Sequence, residues 1–128
     1  MSNVLLIYDD RSAQPAVAPV LSSMHINPVH LILEDFDAEF LLAEMFDLII
    51  FELFGENRSC VAILQQLEKL ATTSGIDHPP VIVVTEQGFE LIEQALRTAK
   101  VNFFFIKPLA EAELVAAIQQ SLRPPAAA

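Results

Sequence analysis

Tryptophan is absent from this chain, cysteine and tyrosine occur once each, and glycine three times. The single Cys60 excludes an internal disulfide and any zinc site built on several thiolates. It reads as a small buried hydrophobe rather than a nucleophile, since a free cysteine is most often a core residue, and a reducing cytosol is its natural setting. Gly55, Gly75 and Gly88 are too scattered to form a loop that cradles phosphates. Basic residues are scarce: 7 Lys and Arg stand against 17 Asp and Glu, a formal net charge of -10. Phosphate backbones need a basic face, so these residues read no nucleic acid. An anionic membrane surface is disfavoured for the same reason. No run approaches the roughly 20 apolar residues of a membrane span. The N-terminus has no basic region, and its apolar run Val4 to Ile7 is too short for a signal peptide. The chain is expected to be soluble and cytoplasmic.

What is present is apolar. The 128 residues are 53% hydrophobic, with a mean hydropathy of +0.45. That suits one domain with a proper core and excludes global disorder. Five short runs stand out: Val4 to Tyr8, Val29 to Leu33, Leu48 to Phe51, Val81 to Val84 and Phe103 to Ile106. Each is nearly continuous rather than alternating, which suits strands buried on both faces of a parallel sheet. Segments of helical pattern separate them. Ser12 to Met24 starts at a residue suited to capping, and Pro19 predicts a kink or a short helix. Asp37 to Phe46 is a second segment. Ser59 to Thr73 carries an apolar stripe and ends before Gly75. Gly88 to Ala99 and Ala110 to Leu122 complete the series. Strand and helix alternate five times, which means an α/β fold with a parallel sheet and helices on both faces. Residues 1–122 form the domain. Arg123 to Ala128, rich in Pro and Ala, reads as the start of a linker or as a plain tail.

Right-handed crossovers bring the carboxyl ends of all strands to one edge, where ligands of such sheets bind. Asp9 and Asp10 follow the first run, Glu34 and Asp35 the second, and Glu52 the third. Thr85 and Glu86 follow the fourth, and Lys107 and Pro108 the fifth. Crowded carboxylates require a proton or a cation among them, and oxygen ligands of this type suit Mg²⁺. A metal, an ammonium and a hydroxyl together would suit a phosphoryl group. The plainer readings stay beside these: Asp9 and Asp10 as helix-capping loop acids, Thr85 as a strand residue, and Lys107 as a surface residue before a turn proline.

In order and position, these residues resemble the receiver domain of two-component response regulators, over essentially the whole chain. The resemblance implies a doubly wound five-stranded parallel sheet of order 2-1-3-4-5, and a signalling module rather than an enzyme. It implies Mg²⁺ held by Asp9, Asp10 and the backbone carbonyl of Phe54. Thr85 and Lys107 would contact a phosphoryl group donated by a histidine kinase. Phe104 would be the aromatic switch residue, and the peptide before Pro108 would be cis. Self-association would use the face of the fourth helical segment, fifth strand and fifth helix, with Arg97, Lys100, Glu111 and Glu113.

The chain departs from the family where the chemistry matters most. Glu52 occupies the phospho-acceptor position, normally Asp. Its stem is longer by one methylene, about 1.5 Å, which should spoil in-line transfer and bring the carboxylate toward Lys107 in a permanent ion pair. Glu56 stands where Pro is frequent, Glu86 where a small residue is usual, and Phe104 lacks the hydroxyl of the commoner Tyr. The expectation is an atypical receiver that works by protein–protein contact without phosphorylation and binds Mg²⁺ weakly if at all. Two alternatives stand beside it: a Mg²⁺-dependent receiver phosphorylated on Glu52 or a neighbouring acid, and a small flavin- or nucleotide-binding α/β protein.

Overall fold

A computed structural model describes residues 3–37, 44–55, 59–75, 79–88, 93–96 and 101–122. In chain order the elements are β1 (Val4–Tyr8), α1 (Val17–Ser23), β2 (Val29–Ile32) and a 3-10 turn at Leu33–Asp35. There follow β3 (Leu48–Leu53), α2 (Ser59–Ser74), β4 (Val81–Thr85), β5 (Phe103–Ile106) and α3 (Glu111–Leu122). The strands form one sheet in the order β2-β1-β3-β4-β5, and every neighbouring pair is parallel. Residues 93–96 are helical, within the expected fourth helical segment. Most of the expected second segment, together with Glu56, Arg97, Lys100 and the tail 123–128, lies outside the described residues.

Burial on both faces of the sheet explains the continuous apolar runs of β1, β3 and β4. The edge strands β2 and β5, expected to be buried likewise, are half-buried to exposed because each has a neighbour on one side only. Ile49, Phe51 and Leu53 of β3 point to one face, where Cys60, Leu64 and Leu67 of α2 complete a core. Leu48 and Ile50 point to the other, against Val17, Val20 and Leu21 of α1 and Leu114, Ala117 and Ile118 of α3. Burying each such Leu, Ile or Phe contributes roughly 1.5–3 kcal/mol. Position 52 continues the series of 48 and 50, so the period of two sends the Glu52 side chain to the α1 face.

Three boundaries differ from the expectation. The third strand runs through Leu53, so Glu52 lies inside the strand and is 0% exposed rather than sitting at a solvated strand end. The second strand stops at Ile32, and Leu33 enters the 3-10 turn. The first helix begins at Val17, not Ser12. Ser12 instead closes a turn on Asp10. The late start also explains Pro19: it stands in the first turn, where a missing N–H costs nothing, and not in a helix interior. At its other end α1 closes on His25, whose φ of 60° is left-handed. Its N–H donates to the Ser22 carbonyl, and that of Ile26 donates to Leu21. These two bonds form a Schellman motif without its usual glycine.

Candidate functional site

Glu52 organises the carboxyl edge. One carboxylate oxygen, Oε1, accepts the backbone N–H of Val17 at 2.9 Å. The other, Oε2, accepts the N–H of Ala16 at 2.8 Å and lies 2.9 Å from Lys107 Nζ. Ala16 makes no capping hydrogen bond of its own. The N–H of Ala18 donates to the Pro15 carbonyl, and Pro19 has none to donate. Every donor of this helix start is therefore accounted for, two of them by a side chain from another element.

Lys107 follows β5. Its backbone N–H donates to the Thr85 carbonyl, and its own carbonyl accepts Gln87 Nε2 at 3.1 Å. These bonds fix the start of a side chain that reaches Glu52, Glu86 Oε1 at 3.1 Å and the Phe54 ring, 4.2 Å from its centroid. Burial by itself would lower the lysine, but the Glu52 and Glu86 carboxylates outweigh that and hold its pKa above the ordinary value. The Glu52–Lys107 pair anticipated from the longer stem is therefore present. Glu86, which stands where a small residue is usual, is a second partner of the same ammonium. The Lys107-Pro108 peptide is cis, as expected.

Asp9 and Asp10 are engaged elsewhere. Asp9 Oδ1 accepts the Phe54 N–H at 2.7 Å and Oδ2 the Gly55 N–H at 3.1 Å, which holds the loop after β3. Asp10 Oδ1 accepts both the backbone N–H and the hydroxyl of Ser12, at 2.9 and 2.7 Å. Those two bonds lower its pKa. Among the described residues no group of three or more His, Cys, Asp or Glu is placed to hold a metal ion. Mg²⁺ asks for near-octahedral oxygen ligands and free lone pairs. Here the Asp9 oxygens face backbone donors, and the Glu52 carboxylate faces an ammonium. Asp9 and Glu52 therefore spend part of their bonding capacity on other partners.

The remaining candidates are placed as follows. Thr85 ends β4 and is 1% exposed. Phe104 is partly buried and packs against the core on the α2 face. Cys60 is fully buried, and burial, with the Asp9 charge second, pushes its thiol up to about 12; such a thiol is inert. Sequence reasoning missed the part played by the Ala16 and Val17 amides. A signal was there: Gln14, Pro15 and Ala16 include no Ser, Thr, Asp or Asn, so a helix starting there has to borrow its cap.

No family model matches the chain, and no curated protein is similar to it at a significant level. Solved structures are similar. FixJ-N superposes with a TM-score of 0.77 at 20% identity, over 100% of this chain and 98% of that one. A signal receiver domain of a signal transduction histidine kinase from Syntrophus aciditrophicus gives 0.74 at 17%, over 100% and 98%. A response regulator receiver protein from Pseudoalteromonas atlantica gives 0.67 at 21%, over 93% and 96%. The fold of this chain is the receiver fold.

Proposed function

We propose that the chain is an atypical receiver module of two-component signalling, that it takes no phosphoryl group at position 52, and that it acts by protein–protein contact. Its partners in this reading are a histidine kinase or another signalling protein. The domain spans residues 1–122, with 123–128 as a linker or tail. Self-association would use the face that includes β5 and Glu111 and Glu113 of α3. The acidic balance disfavours nucleic acid, and among the described residues no helix is long and apolar enough to cross a membrane.

One observation carries the reading: the Glu52 carboxylate is fully buried and both its oxygens are occupied. A nucleophile must come within about 3–3.5 Å of the reacting atom with a free lone pair aligned. Here the approach lies through the first turn of α1 or through Lys107. The ammonium that would neutralise phosphoryl oxygens already has two carboxylates, so the charge pattern of the acceptor site is satisfied from within. Thr85, Phe104, Lys107 and Pro108 keep the family's positions, and in this reading they maintain one arrangement instead of responding to a phosphoryl group.

The test is incubation with acetyl phosphate and Mg²⁺ followed at once by intact-mass measurement. The natural chain should not gain the mass of a phosphoryl group, and Mg²⁺ alone should shift its melting temperature little, since an ion that binds the native state weakly stabilises it little. A phosphoryl adduct mapped to Glu52 would overturn the reading and support the Mg²⁺-dependent alternative.

A further inference from the structure

The position that defines the acceptor site has acquired a mechanical job. We infer that Glu52 is the N-terminal cap of α1, supplied from β3, and that with Lys107 it forms a latch coupling the first turn of α1 to the end of β5. Three features carry this. The helix start has no cap of its own, because Ala16 makes none. Both exposed-end donors that need an external acceptor, Ala16 and Val17, find it in one carboxylate. The oxygen that takes the Ala16 N–H is also the one held by Lys107. Lys107 forms no hydrogen bond with either residue of the helix start, yet its charge sets how firmly their common acceptor is held.

The length of the side chain is what makes this work. An Asp at position 52 would withdraw the carboxylate by about 1.5 Å. The two amide contacts would then open to roughly 4 Å, beyond hydrogen-bond range. Restoring the acceptor type usual in receivers and removing the cap are therefore the same substitution. Capping and phosphate acceptance exclude each other at this position. The inference does not depend on the signalling role: the cap stands or falls on the behaviour of two amides, and phosphorylation on an adduct mass.

Amide hydrogen exchange followed by NMR tests it. In the natural protein the Ala16 and Val17 amides should be protected. In Glu52→Asp they should exchange about tenfold faster or more, while the Ile50 and Phe51 amides of the core strand change less. In Lys107→Met the same two amides should also exchange faster, although that residue hydrogen-bonds to neither. Equal protection of Ala16 and Val17 in natural protein and Glu52→Asp would overturn the cap, and no effect of Lys107→Met would overturn the latch. Should a variant fail to fold, the natural protein still decides: scalar couplings across the hydrogen bonds should link both amide nitrogens to the Glu52 carboxylate carbon, and their absence would overturn the inference.

Discussion

Among the ion pairs of the described residues near this edge of the sheet, two have distances that barely differ. Arg11 Nη2 stands 3.1 Å from Asp35 Oδ2, and Lys107 Nζ stands 2.9 Å from Glu52 Oε2. Their surroundings have nothing in common. The side chains of the first pair are 63% and 56% exposed; those of the second are 17% and 0%. Water screens the first and competes for both partners, so it joins two loops at little gain. The second has lost its water. It persists because Glu52 also accepts the Ala16 and Val17 amides, so each of its oxygens has a partner, and because Lys107 has Glu86 and the Phe54 ring besides. Distance alone does not rank ion pairs; what fills the rest of each group's bonding capacity does.

Breaking the buried pair from one side should show this most strongly. Lys107→Met leaves a buried carboxylate without its counter-ion, a loss of about 3–5 kcal/mol, to be read from urea unfolding. Glu52→Asp keeps the charge but abandons the helix start, and should cost about 2 kcal/mol, the upper range for a lost cap. Alkaline pH sharpens the contrast further. The folded-state pKa of Lys107 is raised, so its contribution is fully present below the ordinary value of 10.5 and is lost as pH rises through the raised value. Melting curves at increasing pH should lose this component in the natural protein and lack it in Lys107→Met. At the small end, Arg11→Ala should change stability by less than about 0.5 kcal/mol, and added salt should erase even that.

Much of the fold was legible because burial on both faces leaves a mark: Val81 to Val84 and Leu48 to Phe51 are short apolar runs without alternation, as strands covered on both sides are. The residues brought to the carboxyl edge were legible for a topological reason, since parallel strands with right-handed crossovers align their ends. What was not legible was the use each residue makes of its neighbours. Ser12 has the chemistry of a cap, but Pro15 and Pro19 move the helix start past it, and a strand residue far away in sequence takes over. Asp9 and Asp10 have the chemistry of metal ligands, and the amides of Phe54, Gly55 and Ser12 also draw on them. Side-chain type reveals what a residue can bind, and only three-dimensional competition decides what it does bind.

The most direct measurement of the central claim, that position 52 serves structure and not phosphoryl transfer, is a double-mutant cycle on Glu52 and Lys107 by urea unfolding, run beside the same cycle on Arg11 and Asp35. The account predicts a coupling of at least about 2 kcal/mol for the buried pair and near zero for the exposed one. Equal and negligible couplings would contradict it, because Glu52 and Lys107 would then be independent groups, each free to serve an incoming phosphoryl donor.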